Sequence, residues 1–413
     1  MLMMKSDDAD DIRTPSLDND TVCKILSRLP VKSLMRFKCI CKSWQSLIQS
    51  DPHFVDLQFS QSKTRPVQLI SSAPPVKQGT SFFSADNLLE EGTDHGAAIH
   101  IATTSWTQPM LKPVNGLICF VDYKEGAVLI YNLSTREATP WIKTATVKKE
   151  HMRMYPSYGF GFDPTTKEHK VLCVWENLTN KRLPSCPSDQ VCEVLTVGHN
   201  SWRWIHEVPP YNVHKEPFYA NGALYWLSVL GSPDNTLIEV IVAFDVGSEK
   251  FRVIPIPNFI LDHPPPTKTF RHSVDDLLEV DGHIALLDKT IHDENNVTFK
   301  MWIFDDDKKS SSCNWIEETI SMSCDPQQEM LFSFQAIAGT NLIIVESTRI
   351  LMDPVPTLYC YDRKKKTSRK VDIIATRGGI PSKTAAAPPP PPPPPIEPSV
   401  SKKLKQRIFP GRR

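Results

Sequence analysis

Two short sequence signatures alternate along roughly 270 residues of the chain and limit the folds that it can adopt. The first is a Gly-containing turn followed by an apolar strand, and its copies begin at Asn115, Asn221, Asp281 and Gly339. The second is a strand that ends in an Asn or Asp turn, with copies at Asn132, Asp163, Asp245, Asp305 and Asp362. Asn-Gly and Asp-Gly pairs accept the positive φ of two-residue hairpin turns, and an Asx side chain closes a turn by bonding nearby backbone. The alternation therefore predicts a series of antiparallel hairpins.

A repeat of about 30 to 60 residues is typical of blades arranged around an axis, because one small sheet cannot bury its own apolar face. We therefore predict a mainly β chain whose principal domain is a β-propeller-like repeat of about five to seven blades. A small N-terminal α-helical module precedes it, and a two-sheet β-sandwich is the alternative fold. The first strand is predicted at residues 66–70, and the Ser-, Gly- and Pro-rich residues 71–96 are predicted to form a long loop.

Residues 17–57 have helical rather than strand periodicity. Apolar side chains recur at helical spacing first in Val22, Ile25, Leu26 and Leu29, and again in Leu34, Phe37, Cys41 and Trp44. Pro30 is predicted to end the first helix, Ser33 to cap a second one, and residues 50–52 to break the chain. A module of this size usually needs a disulfide, a metal or a partner to stay folded, so we expect a partner protein to cover its apolar surface. The alternative is a helical hairpin that packs against its own following domain.

Residues 25–34 (ILSRLPVKSL), 36–44 (RFKCICKSW) and 47–48 (LI) resemble the plant F-box motif in order and spacing. The resemblance implies docking on the Skp adaptor of a cullin–RING ubiquitin ligase. Carried over from the family motif, the adaptor-binding residues are Leu17, Ile25, Leu26, Leu29, Pro30, Val31, Leu34 and Trp44. The chain departs from the motif where Leu17-Asp18 replaces the usual Leu-Pro or Ile-Pro pair, and where Thr21 replaces a common apolar residue.

Residues 115–119, 158–164, 193–198 with 201–203, and 221–226 resemble the F-box-associated domain that follows this motif in many plant proteins. Together the resemblances imply a substrate-recognition subunit of an SCF (Skp–cullin–F-box) ubiquitin ligase. Its helical module would bind the Skp adaptor, and through it a cullin, while the repeat domain would bind a target protein that the sequence does not identify. The alternative is a propeller-type lectin or scaffold protein that acts outside ubiquitination.

Composition indicates a soluble intracellular protein of the cytoplasm, the nucleus or both. Lys plus Arg and Asp plus Glu both number 47, so no general attraction to nucleic acid or to a membrane is expected. The N-terminus has no apolar segment of signal-peptide length, and no apolar run approaches about 18 residues. The ten cysteines form no C-x-x-C pair, and in a reducing compartment we expect free, mostly buried thiols.

The chain has no constellation of residues that predicts catalysis, so we expect a non-catalytic protein without cofactor or metal. Nucleophile-elbow, phosphate-loop and zinc-helix motifs are missing from the sequence. Gly159-Phe160-Gly161 lacks the third glycine and the following helix of a dinucleotide turn, and is predicted to be a strand. His206 beside Glu207 is predicted to lie in a solvated loop, and the tryptophans are predicted to pack between blades.

The four predicted segments are a disordered acidic N-terminus (1–16), the F-box module (17–57), the repeat domain (66–375) and a disordered tail (376–413). The tail contains an unbroken proline run at 388–395, predicted to form a polyproline II rod that an SH3, WW or profilin-type partner could bind. Lysines and arginines follow the run and could serve as a nuclear signal. A second basic segment, residues 363–370, is predicted to be a solvated hairpin loop.

Overall fold

The computed structural model describes residues 18–63, 69–72, 80–84, 99–145, 154–177, 190–213, 216–231, 237–261, 276–293, 296–305, 315–323, 330–337, 340–349 and 357–371. These residues fall into two units, a helical unit that ends by Arg65 and a β-sheet unit that begins after it. The proline run, Leu17 and the acidic N-terminus lie outside the described residues.

The helical unit contains four helices: α1 (Asn19–Ser27), α2 (Val31–Phe37), α3 (Lys42–Ser50) and α4 (Pro52–Lys63). Asp18 is the N-cap of α1, where its Oδ1 accepts the backbone N–H of Thr21 at 2.8 Å. The departure from the family motif at this position therefore supplies a helix cap. The cap predicted at Ser33 is wrong, because α2 begins at Val31 with Pro30 in the N-cap position and Ser33 lies inside the helix.

The apolar positions from Leu34 to Trp44 belong to two helices, because the chain turns between Phe37 and Lys42. The last helix, α4, continues to Lys63, beyond residue 57 where the helical module was predicted to end. One side chain from each helix forms the centre of the core: Leu26, Leu34, Ile48 and Phe54.

The β-sheet unit is a succession of small antiparallel sheets, which confirms the predicted β-propeller architecture. Sheet 1 has three strands, β1 (Leu69–Ser72), β2 (Ser81–Ser84) and β3 (Ile99–Thr103). Sheet 2 contains β4 (Leu117–Asp122), β5 (Ala127–Asn132), β6 (Glu137–Ala138) and β7 (Ile142–Lys143). Sheet 3 contains β8 (Met154–Asp163), β9 (Glu168–Asn177), β10 (Gln190–Thr196) and β11 (Arg203–Ile205).

Three further four-stranded sheets follow. Sheet 4 contains β12 (Phe218–Ala220), β13 (Ala223–Gly231), β14 (Leu237–Asp245) and β15 (Lys250–Pro255), after which comes the short helix α5 (Asn258–Leu261). Sheet 5 contains β16 (Asp276–Val280), β17 (His283–Asp293), β18 (Asn296–Phe304) and β19 (Trp315–Ser323). Sheet 6 contains β20 (Met330–Ala336), β21 (Leu342–Arg349), β22 (Thr357–Asp362) and β23 (Thr367–Val371). Within the described residues there are thus five four-stranded sheets and one three-stranded sheet, in agreement with the predicted range.

Strand β2 corrects the prediction of a continuous loop over residues 71–96. Phe82 lies on this strand and is buried against Ile118, Phe120 and Tyr131 of sheet 2. A Ser-rich, short strand has weak sequence signals, and its burial in a tertiary contact outweighs them.

Apolar side chains fill the spaces between neighbouring sheets. Trp226 of sheet 4 packs with residues of sheet 3, Trp302 of sheet 5 packs with residues of sheet 4, and Phe334 of sheet 6 packs with residues of sheet 5. Sheets 3 to 6 therefore bury apolar faces against one another in succession, as the repeat predicted.

Candidate functional site

The helical unit has its own buried core but leaves two large apolar side chains exposed. Ile25 on α1 is 49% exposed, and Ile40 between α2 and α3 is 61% exposed. Leu29 is half-buried against the core, and Phe37 and Trp44 pack edge to face with ring centroids 5.6 Å apart. Because the core is closed without Ile25 and Ile40, these two side chains are available to a partner protein.

The residues predicted to bind an adaptor divide into two groups in the structure. Leu26 and Leu34 are buried in the helical core, where they support the fold of the unit. Ile25 and Pro30 are exposed. Leu29, Val31 and Trp44 are half-buried, so each presents part of its surface to solvent. Leu17 lies outside the described residues.

Ile40 is an exposed apolar residue that the sequence analysis did not select. A single helix from Leu34 to Trp44 would place Ile40 off the apolar stripe. The chain instead leaves its helical course after Phe37, and backbone bonds from Cys39 to Arg36 and from Ile40 to Phe37 close a turn there. The cysteines on either side of Ile40 are exposed as well. Ile40 therefore lies on the turn between α2 and α3 rather than on a helix.

One end of the β-sheet unit, here called the Asn-Gly end, carries short turns with fixed backbone geometry. Pairs of residues with positive φ form the turns at 115–116, 221–222 and 281–282, which confirms three predicted reversals. The antiparallel strand order brings the turns that follow Asn132, Asp163, Asp245 and Asp362 to the same end. In each of these turns the side chain of the leading Asx accepts backbone N–H groups two or three residues on.

Charged side chains link neighbouring sheets at the Asn-Gly end. The Lys170 ammonium, which is buried, donates to the carbonyl of Val246 and to Oε1 of Glu249, both at 2.8 Å. Arg203 also pairs with Glu249. Burial alone would raise the pKa of Glu249, but the bonds from Arg203 and Lys170 hold it below its usual value. This cluster therefore joins sheet 3 to sheet 4.

The segment that precedes β4 contacts the start of sheet 4 through Lys112. The backbone N–H of Lys112 donates to Oε1 of Glu216 at 2.9 Å, and the Lys112 ammonium lies 2.9 Å from the ring centroid of Phe218. Tyr123, in the β4–β5 turn, is partly exposed and packs edge to face on Tyr158. Desolvation raises the pKa of Glu216 above its usual value. The cation of Lys112, the carboxylate of Glu216 and the ring of Phe218 thus lie together beside the first strand of sheet 4.

Catalytic and metal-binding arrangements were searched for in the same residues. No group of three or more His, Cys, Asp or Glu side chains with metal-binding geometry occurs in the part of the chain that the structure describes. Gly159, Phe160 and Gly161 lie in strand β8, as predicted, and the glycines leave room for Leu224 and Val246 of sheet 4. His206 and Glu207 are exposed. Among the described helices, none has the length and apolarity to cross a membrane.

Comparison with known families gives two matches that together include most of the chain. Residues 15–56 match the F-box domain, and residues 59–386 match the family described as the F-box associated beta propeller domain. Two relatives from Arabidopsis thaliana are similar over most of their length. The F-box protein At4g19940 is 27% identical over 377 residues, with 87% of this chain and 86% of the relative covered. The F-box protein At5g65850 is 28% identical over 370 residues, with 86% and 83% covered.

Solved structures show a weaker likeness. A chain of the nidogen/laminin complex aligns with 73% of this chain and 91% of its own length, at 11% identity and a TM-score of 0.37. This similarity is too low to support a statement about function.

Proposed function

Because this chain belongs to the F-box proteins that carry an F-box-associated β-propeller domain, we propose that it is a substrate receptor of an SCF ubiquitin ligase. The helical unit would bind a Skp adaptor, and through it a cullin, while the propeller binds a target protein. Members of these families are typically non-catalytic adaptor proteins. The receptor acts by raising the effective concentration of the target near a ubiquitin-charged enzyme, since two binding sites on one chain make their encounter intramolecular.

The exposure of Ile25 and Ile40 is the observation that supports adaptor binding best. A large apolar side chain contributes roughly 1.5–3 kcal/mol when it is fully removed from water, and both side chains are still about half exposed. A second polypeptide that covers them gains this free energy without rearranging the core of the helical unit. Leu29, Pro30, Val31 and Trp44 offer further surface next to this core. We assign Leu26 and Leu34 a supporting role, since they hold the helices that present the exposed residues.

Co-purification tests this proposal. The full chain is co-expressed with a Skp adaptor and a cullin, and recovery of the complex is compared with that of an Ile25→Asp/Ile40→Asp variant. We expect the variant to lose the adaptor, because two charges would replace the apolar contacts. Phe259→Asp is the matched control, since Phe259 is 48% exposed but lies on the propeller unit. Equal recovery of the adaptor with the double variant would refute docking through this surface.

The tail is proposed to have no part in adaptor binding. Its proline run could bind an SH3, WW or profilin-type groove, because a polyproline II segment is extended before it binds. Removal of residues 385–413 should leave recovery of the adaptor unchanged, and a loss would place part of the docking surface in the tail. We propose the cytoplasm, the nucleus or both as the location, which imaging of a tagged chain with and without this segment tests.

A further inference from the structure

The β22–β23 hairpin of sheet 6 carries basic residues on a turn whose backbone is fixed. The Oδ1 atom of Asp362 accepts the backbone N–H groups of Lys364 and Lys365, each at 2.9 Å. The N–H of Arg363 donates to the carbonyl of Asn341 at 2.8 Å, and Lys366 has a positive φ of 55°. The three lysine side chains therefore extend from a backbone with a defined conformation.

Arg363 forms ion pairs with two acidic side chains of the neighbouring sheet 5. Its guanidinium donates to both carboxylate oxygens of Glu318, at 3.1 and 2.9 Å, and to Oδ2 of Asp281 at 2.7 Å. These bonds, chiefly those to Glu318, raise the pKa of Arg363. Since Arg363 takes the close contacts with both carboxylates, these acids compensate the neighbouring lysine charges only weakly.

The lysines of the turn face solvent. Lys365 is 59% exposed and lies 3.9 Å from Asp362, and Lys366 is 55% exposed and lies 4.0 Å from Glu318, both at the outer limit of an ion pair. Lys364 is exposed as well. These three residues, here called the basic hairpin, form a positively charged surface at the Asn-Gly end of the propeller.

We propose that the basic hairpin binds a segment of the target protein that is rich in Asp and Glu. The proposal rests on the proposed function, since it gives the chemistry of the target that the receptor would select. Charge complementarity supports it, because clustered lysines on a fixed turn attract several carboxylates of one extended segment. A nucleic acid fits less well. Nucleic-acid binding usually relies on an extended basic surface, whereas this chain has equal numbers of basic and acidic residues and a cluster of a few lysines matches a short acidic segment.

Fluorescence anisotropy with the full-length chain tests the proposal. The probe is a fluorescein-labelled peptide of alternating Asp and Gly, and a peptide with Asn in place of Asp is the neutral comparison. The test variant is Lys364→Gln/Lys365→Gln/Lys366→Gln. A matched control removes the same charge elsewhere on the propeller: Lys124→Gln/Lys143→Gln/Lys250→Gln, all at exposed positions. A third variant, Lys364→Arg/Lys365→Arg/Lys366→Arg, keeps the charge and shows whether substitution alone disturbs the turn.

We expect the wild-type chain to bind the acidic peptide more tightly than the neutral one, and binding to weaken as salt is added. The glutamine variant of the hairpin should bind about tenfold more weakly, because it loses three lysine–carboxylate pairs. The control and arginine variants should bind like the wild-type chain. An equal loss in the control variant would overturn the proposal, as would absence of binding by the wild-type chain.

Two further measurements separate this proposal from neighbouring ones. A labelled single-stranded DNA that binds more tightly than the acidic peptide, and depends on the same lysines, would overturn the proposal in favour of a nucleic-acid surface. Recovery of the Skp adaptor is measured in parallel for all variants and should not change. If the chain does not bind the Skp adaptor but still binds the acidic peptide through the hairpin lysines, the acidic-segment site is supported and only its role in ubiquitination is refuted.

Discussion

Substitution of Ile25 and of Leu34 by alanine should separate adaptor binding from folding in the helical unit. Ile25 is 49% exposed in the free chain, whereas Leu34 is 4% exposed and packs in the core. Covering the exposed half of an isoleucine side chain contributes about 1 kcal/mol, since full burial contributes roughly 1.5–3 kcal/mol. Ile25→Ala should therefore weaken adaptor binding about fivefold and cost about 1 kcal/mol of folding free energy or less, since only half of the side chain is buried in the free chain. Leu34→Ala should instead cost about 2–5 kcal/mol of folding free energy.

The assay pairs isothermal titration of the purified chain with a Skp adaptor and thermal unfolding followed by helical circular dichroism. Phe259→Ala controls for the loss of an exposed apolar side chain outside the helical unit and should change neither the affinity nor the helical transition. The reasoning would be refuted if Ile25→Ala lowered the unfolding temperature as much as Leu34→Ala, because Ile25 would then belong to the core. Unchanged affinity with Ile25→Ala would exclude this side chain from the docking surface.

Three further predictions concern the propeller, each checked by urea unfolding. Gly161→Ala should destabilise the chain by about 1–3 kcal/mol, because the new Cβ would lie 2.7 Å from Cγ2 of Val246 across the sheet 3–sheet 4 interface. Unchanged stability would contradict this, since it would show that Val246 moves aside at no cost. Glu249→Gln should lower the free energy of unfolding by about 2 kcal/mol, since it removes the carboxylate that pairs with the buried Lys170 ammonium. The double variant Glu249→Gln/Lys170→Met should recover part of this loss, because it no longer buries an unpaired charge. Burial lowers the pKa of the His169 imidazole to about 4, below its value in the unfolded chain. The stabilisation from the neutral imidazole is therefore present above about pH 6.5 and is lost as the pH falls through 4. From pH 7 to pH 5 we expect the free energy of unfolding to fall by about 2 kcal/mol, a loss that His169→Gln should not show.

Local backbone chemistry explains which parts of the propeller could be predicted from the sequence. The turns at 115–116, 221–222 and 281–282 were predicted because Asn-Gly and Asp-Gly pairs adopt positive φ at low cost, and the φ values confirm them. The fourth copy of the Gly-containing turn, which begins at Gly339, differs. There the strands are paired up to Ala336 and Ile343, so a longer connection joins them and no two-residue turn forms. Its sequence, Gly339-Thr340-Asn341, lacks the Asx-Gly pair, and Gly339 itself lies outside the described residues.

Features that depend on distant parts of the chain could not be predicted in the same way. The ion pair between Lys170 and Glu249 joins residues 79 positions apart, and no local pattern indicates such a pair. The break between α2 and α3 could not be predicted either, because the apolar spacing from Leu34 to Trp44 suits one continuous helix.

The same separation of local and distant effects bears on how targets are selected. The fold depends on turn positions with positive φ and on buried strands, whereas the lysine side chains of the basic hairpin are exposed and contribute little to the buried core. Exposed substitutions away from such structural features usually change stability by less than about 0.5 kcal/mol. Relatives at 27–28% identity match the chain over most of its length, so the architecture tolerates extensive sequence change. Under the proposed function, such a chain could exchange the side chains that meet its target without exchanging its fold, and substitution of the lysines of the basic hairpin tests that proposed selectivity most directly.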